Sequence, residues 1–320
     1  MKAVIVRQPG GPEVLEYTEV PTPKVKPGWT LVKVHGFGIN HSEIFTREGE
    51  SPSVKFPRIL GIEAVGTVAE TSAPEKFQVG QKVVSLMGEM GRDFDGGYAE
   101  YVLLPNQQVY PVTTNLNWDD LAAVPETYYT AFGIVRSLQI KNNDRILIRA
   151  ATSGVGLASL KLIKAMNRHN QLVGTTRSAK KVALLQSLGF DQVIVTPDPI
   201  NLPANTGTFD KIIDLIGGLA IRDSLLRLNE FGISNTTGEL SGQWSIDQFD
   251  PIMDIPNDRY LTGFSSAEVS GKAVQQLFDF IDKYQVDVTP NKIFDLAHTR
   301  EAHEYLESGH SLGKVIVRIK

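Results

Sequence analysis

The chain has 320 residues, of which 42% are hydrophobic, and its 32 Lys and Arg against 36 Asp and Glu give a formal net charge of −4. This length fits about two domains with substantial cores. Because the sequence contains no cysteine, it excludes disulfides, thiol nucleophiles and zinc sites that use thiolates. The mild negative charge, without a block rich in Lys and Arg, makes a nucleic-acid partner an unfavoured interpretation.

The first residues predict neither a signal peptide nor a membrane span. A short apolar run at residues 3–6 gives way at once to Gln8, Pro9 and Gly10. Such a run is too short for a secretory h-region or for a transmembrane helix. We therefore expect a cytoplasmic protein without a membrane partner.

Up to about residue 117 the sequence predicts a compact, mostly antiparallel β domain. Short runs rich in strand-forming residues are separated by turn residues such as Pro21, Pro27 and Gly80. The predicted strands cover residues 2–7, 14–20, 30–34, 63–71, 82–87 and 98–104.

From residue 118 onwards, predicted strands and helices alternate. Strands alternating with helices indicate βαβ crossovers and a parallel, doubly wound sheet. After residue 264 no further unit of this kind follows, so we expect the chain to return to the first domain. The predicted fold class is α/β, with a Rossmann domain at 118–264 inserted between two parts, 1–117 and 265–320, of the β domain. The predicted strands of the inserted domain are residues 145–150, 171–176, 192–195, 211–216, 232–236 and 260–264.

A turn of small residues joins the first strand and the first helix of the alternating half. A dinucleotide site needs small residues where the backbone and a helix N-terminus approach a pyrophosphate. Ala150 and Ser153 take the places of the usual first and second glycines, and Gly156 keeps the third. A turn of this kind also serves simply to pack a helix on a sheet, and that alternative stays open. The candidate cofactor residues of the turn are Ser153, Gly154, Val155 and Gly156.

The end of the next strand indicates which dinucleotide binds. Residues 174–181 contain no acid, although an NAD site carries Asp or Glu there for the ribose. Arg177 and Lys181 can neutralise a 2′-phosphate, and Ser178 can donate a hydrogen bond to it. Because basic residues at a helix start oppose the macrodipole, a bound anion explains them better than helix stability does, with a solvated basic helix as the alternative. The prediction is NADPH, held here by Thr176, Arg177, Ser178 and Lys181.

At these motifs the sequence resembles the medium-chain dehydrogenase/reductase superfamily and, within it, the zinc-free quinone oxidoreductase group. The resemblance runs the whole length of the chain, in seven ordered segments. It implies a GroES-like β domain, a Rossmann domain and hydride transfer to a small-molecule carbonyl or quinone. The matching segments are residues 1–4, 38–43, 61–66, 96–101, 130–132, 153–156 and 313–317.

The resemblance also implies that the family's zinc chemistry is lost. Zinc-using relatives hold the metal with a Cys, the His of a Gly-His-Glu motif and a further Cys or acid. Here Asn40 stands near the first position, and Ile62 replaces the motif His before Glu63. His41 and Glu43 lie close in sequence, but one histidine beside two acids is more typical of a surface hydrogen-bonding cluster than of a metal site. The prediction is that the site holds no metal.

The implied catalytic residues are Asn40, His41 and Thr130. The Asn40 amide can donate to a substrate carbonyl, or else it satisfies local backbone groups. Thr130 matches the family's threonine beside the nicotinamide, or else it bonds to its own helix. His41 can relay a proton to the product, although a histidine at a helix start is more often exposed. The other histidines, His303 among them, show no pairing that suggests chemistry.

Further cofactor contacts are implied at the ends of two later strands. Asp214 matches a strand end near the cofactor's ribose, and Lys314 is either a residue that reaches the cofactor or the solvated start of an edge strand. The remaining candidate cofactor residues are Leu215, Gly217, Thr237, Gly238 and, in addition to its catalytic role, Thr130.

The leading functional hypothesis is an NADPH-dependent reductase of quinones or α,β-unsaturated carbonyls that works without zinc. An alternative is a reductase of 2-enoyl thioesters. An alternative of another class is an NADPH-binding protein with a structural, sensing or RNA-interacting role, since the sequence shows no irreplaceable catalytic acid. The resemblance also suggests a homodimer that pairs Rossmann-sheet edges through the strand predicted at residues 260–264.

Overall fold

The computed structural model describes residues 1–166 and 169–320. It divides into two compact units. The first unit comprises Met1–Tyr129 and Ser266–Lys320, and the second comprises Thr130–Ser265. Residues 118–129 thus lie in the first unit, whereas the sequence analysis assigned them to the Rossmann domain. No helix in the described ranges is long and apolar enough to cross a membrane.

The chain forms strands and helices in an order that changes from mainly strands to alternating elements. The strands are β1 (Lys2–Val6), β2 (Leu15–Glu19), β3 (Trp29–Ile39), β4 (Arg58–Ile59), β5 (Glu63–Thr71), β6 (Lys82–Leu86), β7 (Tyr101–Pro105), β8 (Tyr110–Pro111), β9 (Arg145–Ile148), β10 (Gln171–Thr176), β11 (Gln192–Val195), β12 (Phe209–Asp214), β13 (Leu228–Thr236), β14 (Tyr260–Gly263), β15 (Lys292–Asp295) and β16 (Val315–Arg318). The α-helices are α1 (His41–Glu48), α2 (Trp118–Ala122), α3 (Pro125–Ser137), α4 (Gly154–Ala165), α5 (Val182–Leu188), α6 (Ala220–Leu226), α7 (Pro251–Asp254), α8 (Gly271–Tyr284) and α9 (Thr299–Glu307).

The first unit is built on two sheets. A seven-stranded sheet has the order β15-β16-β3-β5-β6-β8, with β7 also paired to β3, and a smaller sheet has the order β2-β1-β4. Every pairing is antiparallel except that of β15 with β16. In β3, Val32 and Val34 are buried while Lys33 between them is exposed, the alternation that a sheet with one face on the core requires. This confirms the mostly antiparallel β part of the predicted fold class.

The second unit is a six-stranded parallel sheet with the order β11-β10-β9-β12-β13-β14. Ile146, Leu147 and Ile148 of the central strand β9 are all fully buried. A continuous apolar run is typical of a parallel strand that is covered on both faces. The strand order reverses direction between β9 and β12, as in a doubly wound sheet. The Rossmann part of the predicted fold class is therefore confirmed.

A buried polar network joins α1 and α9 inside the first unit. Arg47 donates to both carboxylate oxygens of Glu307, at 2.8 and 2.9 Å, and lies 3.1 Å from Nδ1 of His303. Because Arg47 only donates, Nδ1 accepts, and Nε2 carries the proton that it donates to the Tyr98 hydroxyl at 3.0 Å. Burial first, and then the charges of Arg47 and His41, lower the pKa of His303 to about 3. His303 is thus a neutral core residue with two partners, which the sequence did not reveal.

Candidate functional site

The first unit gathers polar side chains where three neighbouring strands begin or end. In its sheet, β3 lies between β16 and β5, and both pairings are antiparallel. The end of β3 therefore lies beside the starts of β5 and β16. Asn40 directly follows β3, Glu63 begins β5 and Lys314 directly precedes β16. With Glu43 of α1, these residues form what we call the Asn40 cluster.

An ion pair lies at the centre of the Asn40 cluster. Nζ of Lys314 donates to Oε1 of Glu63 at 2.6 Å and to Oδ1 of Asn40 at 2.8 Å. The second carboxylate oxygen of Glu63 accepts the backbone N–H of Glu126 at 2.9 Å. Glu63 is fully buried and Lys314 is 5% exposed. Lys314 is thus buried and paired, so the solvated strand start is wrong, and contact with a cofactor stays a prediction.

Glu43 adds a second buried carboxyl group to the cluster. Its oxygens accept the backbone N–H groups of Asn40 at 3.1 Å and of Ile62 at 3.2 Å. The first of these contacts belongs to a capping box at the start of α1. Burial, followed by the negative charge of Glu63, raises the pKa of Glu43 to about 7. The Lys314 side chain therefore faces two carboxyl groups, and with a pKa of about 7 the Glu43 carboxyl is protonated part of the time at neutral pH.

Both ends of the Asn40 side chain are engaged within the cluster. Its Nδ2 donates to Glu63 at 2.9 Å, while the contact with Oε1 of Glu43 is longer, at 3.5 Å. Its Oδ1 accepts from Lys314 and, at 3.5 Å, from the Thr127 hydroxyl. One amide hydrogen is therefore firmly held by Glu63, and the second is held only weakly.

The other two predicted catalytic residues lie in different surroundings. His41 is the first residue of α1, directly after Asn40, and is partly exposed. Thr130 is 6% exposed and lies in α3, as the first residue of the second unit. The structure thus brings Asn40 and His41 together at one helix start. Within the described ranges, no group of three or more His, Asp or Glu side chains is arranged to hold a metal ion, and the metal-free site stays a prediction.

In the second unit, the predicted small-residue turn joins β9 to α4. The Ser153 hydroxyl accepts from the N–H of Gly156 at 3.1 Å and donates to the Ala150 carbonyl at 2.8 Å, so it caps the helix from within the turn. A Cβ on Gly156 would lie 2.7 Å from that same carbonyl oxygen, which is too close. Gly154 and Val155 supply the first N–H groups of α4, which have no intrahelical acceptor. The turn has the small size and the free helix start that a pyrophosphate requires.

The basic residues after β10 lie next to this turn. The Ala150 N–H donates to Oγ1 of Thr175 at 3.1 Å, which ties the turn to the end of β10. Arg177 is exposed, and Lys181 is partly buried. Burial, followed by the charge of Arg177, lowers the pKa of Lys181. Two cations therefore lie within electrostatic range of each other, an arrangement that a bound anion would stabilise.

The turns after β12 and β13 lie side by side. The backbone carbonyl of Asp214 accepts the N–H groups of Thr237 at 3.1 Å and of Gly238 at 3.4 Å. Gly217 has φ +70°, and a Cβ there would overlap the Gly238 carbonyl oxygen. Leu215 is buried directly beneath, at 3% exposure. The structure thus brings together Leu215, Gly217, Thr237 and Gly238, as the sequence analysis expects.

The Asp214 side chain is engaged within the protein, at the strand end that the resemblance places near the cofactor's ribose. It is fully buried, and its Oδ1 accepts the N–H groups of Ile216 at 2.9 Å and Gly217 at 3.1 Å. Its Oδ2 accepts the Ser224 hydroxyl at 2.6 Å. Asp214 therefore shapes the turn after β12 through these three hydrogen bonds. Thr176 ends β10, and the other candidate cofactor residues of the second unit, apart from Thr130, follow the carboxyl ends of β9, β10, β12 and β13. This is the edge at which open α/β sheets bind ligands.

Comparisons with known proteins agree with this architecture. Residues 26–114 match the alcohol dehydrogenase GroES-like domain, and residues 188–317 match the zinc-binding dehydrogenase family. A quinone oxidoreductase of Pongo abelii is 30% identical over 72% of this chain and 71% of its own. An acryloyl-coenzyme A reductase of Sulfurisphaera tokodaii is 27% identical over 71% of this chain and 74% of its own.

Among solved structures, a mycobacterial protein complexed with NADPH superimposes with a TM-score of 0.83 at 25% identity, over 99% of both chains. The strand order, the two family domains and the quinone oxidoreductase relative all indicate one family. The chain is therefore an oxidoreductase of the medium-chain dehydrogenase/reductase superfamily, in its quinone oxidoreductase-like group.

Proposed function

We propose that this protein is an NADPH-dependent reductase that transfers a hydride to quinones or α,β-unsaturated carbonyls without zinc. The observation that carries the proposal is the cation pair Arg177 and Lys181 at the end of β10, beside the capped turn and with no acid in residues 174–181. Such a pair suits a 2′-phosphate, where an NAD site would carry an acid. The quinone oxidoreductase relative and the structural neighbour complexed with NADPH support it.

The second unit would hold the cofactor through backbone and side-chain groups together. The helix start at Gly154 and Val155 would receive the pyrophosphate, while Ser153 and Gly156 keep the turn narrow. The residues after β10 would neutralise the 2′-phosphate. When bound, NADPH supplies the hydride. The full candidate set is Thr130, Ser153, Gly154, Val155, Gly156, Thr176, Arg177, Ser178, Lys181, Leu215, Gly217, Thr237 and Gly238.

The Asn40 cluster would stabilise negative charge on the substrate oxygen. Lys314 donates to the Asn40 carbonyl oxygen, and this polarises the amide and strengthens its N–H groups as donors. One amide hydrogen of Asn40 makes only the long, 3.5 Å contact with Glu43. Asn40 can donate this hydrogen to a substrate carbonyl instead. His41, next to it at the start of α1, would deliver the proton that completes the reduction. Thr130 would position the cofactor.

The proposal is tested by following NADPH oxidation with a panel of quinones, enones and 2-enoyl thioesters. We expect turnover with the quinones and enones, and unchanged activity after dialysis against a chelator. Tight NADPH binding without turnover of any substrate would overturn the reductase and favour a structural, sensing or RNA-interacting role. Loss of activity on chelation would overturn the metal-free site.

A second candidate activity is the reduction of 2-enoyl thioesters. The acryloyl-coenzyme A reductase relative favours it specifically, since it aligns over 71% of this chain. The chemistry is the same hydride transfer to an electron-poor carbon conjugated to a carbonyl group. A kcat/KM for enoyl-coenzyme A esters that exceeds the value for quinones by tenfold or more, on the order of 1.4 kcal/mol, would make this the leading activity.

We further propose that the protein forms a homodimer in the cytoplasm through the outer edge of β14. Among the described residues, β14 pairs only with β13, so its other edge is available to a second copy. Light scattering is expected to give the mass of two chains. A monomer at micromolar concentration would contradict the dimer and leave the reductase proposal intact.

A further inference from the structure

A buried arginine lies directly before the small-residue turn. Arg149 follows the last residue of β9 and is 1% exposed. A single arginine after an apolar strand forms no sequence pattern that would predict a role for it. A buried guanidinium is stable only where its hydrogens are all received by acceptors. Its partners therefore indicate what it holds in place.

The two terminal nitrogens of Arg149 serve two different segments. Nη2 donates to the backbone carbonyls of Pro199 and Ile200, both at 2.7 Å. Nη1 donates to the Ser224 hydroxyl at 2.7 Å and to Asp223 at 3.1 Å, on α6. One rigid fork thus links the segment after β11 to the helix after β12.

The segment on the Nη2 side needs this support because it lacks regular structure. The connection from β11 to β12 at residues 196–208, all of it described, contains no α-helix and only a short 3₁₀ turn at Ala204–Thr206. A crossover without a helix leaves carbonyl groups that must find other donors. Arg149 satisfies two of them, and the N–H of Leu202 donates to Asp223 at 3.2 Å. The crossover is thereby fastened to α6.

The Nη1 side continues as a relay to the turn after β12. The Ser224 hydroxyl accepts a hydrogen bond from Arg149 and donates one to Oδ2 of Asp214 at 2.6 Å. The other oxygen of Asp214 accepts the N–H groups of Ile216 and Gly217. Gly217 adopts φ +70°, which glycine reaches without strain, and the two bonds from Asp214 hold the turn in that conformation. A change at Arg149 or Ser224 is therefore expected to alter the turn through Asp214.

We propose that Arg149 is a positioning residue for the dinucleotide: through its own bonds and through the Ser224–Asp214 relay, it fixes the crossover at Pro199–Ile200 and the Ile216–Gly217 turn in the conformation that receives the cofactor. This inference rests on the proposed NADPH-dependent function and names a determinant of cofactor affinity outside the contact residues. Because the described hydrogen bonds of Arg149 go to the crossover and to α6, and not to candidate cofactor residues, we expect it to act on binding and to leave the transfer step unchanged.

Two variants test the proposal. Arg149→Lys keeps the charge but offers one nitrogen where two are needed, so it can serve only one of the two segments. Ser224→Ala breaks the relay alone and is the milder change. The matched control is Ser159→Ala, another fully buried serine of the second unit, on α4, whose hydroxyl has no hydrogen-bond partner among the described residues. All three are compared by NADPH titration, steady-state kinetics and amide hydrogen exchange at Ile216 and Gly217.

We expect the Kd and KM for NADPH to rise by about tenfold in Arg149→Lys and about fivefold in Ser224→Ala, with kcat within a factor of about two. Exchange at the two amides should accelerate in both variants and not in Ser159→Ala. A lowered Tm with unchanged Kd and unchanged exchange would overturn the inference alone and make Arg149 merely structural. Failure of the wild type to bind NADPH would overturn the proposed function, and this inference with it.

Discussion

The two candidate sites, one in each unit, are built in opposite ways. The Asn40 cluster consists of charged side chains that are almost completely withdrawn from water, with Glu63 fully buried and Lys314 5% exposed. The second candidate site lies at the carboxyl ends of β9, β10, β12 and β13, and we call it the cofactor edge. It consists of backbone N–H groups, glycines and the cations Arg177, which is exposed, and Lys181, which is partly buried. Removing one partner of a buried ion pair lowers the unfolding free energy, because the other charge stays buried without a partner. Removing an exposed cation changes the unfolding free energy little and acts mainly on the affinity for a bound anion. Substitutions in the first site should therefore change stability, and those in the second should change cofactor affinity.

The largest stability effect is expected at Lys314. Lys314→Met leaves Glu63 and Glu43 buried without their cation, and losing one partner of a buried pair costs about 3–5 kcal/mol of unfolding free energy. The control is Lys2→Met at the exposed pair with Glu19, where less than about 1 kcal/mol is expected. Urea unfolding of both variants measures the difference. If both variants lost the same unfolding free energy, the buried pair of Lys314 would stabilise the protein no more than an exposed pair does.

The unfolding free energy should also depend on pH through the buried carboxyl group of Glu43, in the first site. Its pKa is about 7 in the folded protein against 4.5 as the ordinary value, so the folded state binds this proton more tightly. The resulting stabilisation is complete below pH 4.5, declines as the pH rises and is lost above about pH 7. It amounts to about 3 kcal/mol. Glu43→Gln cannot titrate, so the wild type should lose more unfolding free energy than this variant between pH 5 and pH 8.

His303 also contributes to the pH dependence of the unfolding free energy, but in the opposite direction from Glu43. The comparison of wild type with Glu43→Gln separates the two contributions. His303 has a folded pKa of about 3 against 6.5, so its contribution is present above pH 6.5 and declines as the pH falls towards 3. It is common to the wild type and Glu43→Gln and cancels in their difference. Parallel stability curves for the two proteins across pH 5–8 would show that Glu43 carries no raised pKa.

Substitutions at the two cations of the second site should lower the preference for NADPH over NADH. Arg177→Ala and Lys181→Ala each remove a cation from the predicted 2′-phosphate site, and a charged hydrogen bond of this kind is worth about tenfold to a hundredfold in affinity. The NADPH preference over NADH should fall by that factor while the unfolding free energy changes by no more than about 0.5 kcal/mol. Lys76→Ala, at an exposed site of the first unit, serves as control. A loss of affinity for both cofactors alike would contradict the assignment.

The smallest effect is expected at Ser153, which caps α4. A change there should slightly lower both the unfolding free energy and the affinity for NADPH. Ser153→Ala removes the acceptor for the Gly156 N–H and should cost about 1 kcal/mol of unfolding free energy. Because the cap belongs to the turn itself, NADPH affinity should fall by a few-fold as well. Ser187→Ala, an exposed serine on α5, is the control and should change neither quantity. An unchanged NADPH affinity in Ser153→Ala would separate the cap from the cofactor site.

The sequence predicted the second site better than the first, and the reason is physical. The cofactor edge follows from residues contiguous in the chain, since the strand, the turn and the helix of one βα unit place Ser153 to Gly156 together. The Asn40 cluster joins residues 250 or more positions apart, such as Glu63 and Lys314, and nothing local marks their meeting. Arg149 and His303 were missed for the same reason, because their partners come from other elements.

The fold class itself was recoverable because it depends on periodicity. The continuous apolar run of β9 and the alternation of β3 are local patterns that fix a parallel and an antiparallel sheet. Short elements such as β4 and β15 were not predicted, since a few residues carry too little pattern. One unit bound, at Tyr129, lies inside α3, and the other, at Ser266, lies in the connection between β14 and α8, so neither coincides with a change of sequence pattern.

We propose that NADPH, through its 2′-phosphate, is the preferred hydride donor to a quinone. The decisive measurement is the ratio of kcat/KM for NADPH to kcat/KM for NADH, with 1,4-benzoquinone as the common acceptor. If Arg177 and Lys181 bind the 2′-phosphate, this ratio should exceed about ten, which corresponds to at least about 1.4 kcal/mol of preference. A ratio of one or below, or no turnover with either cofactor, would show that the proposed function is wrong.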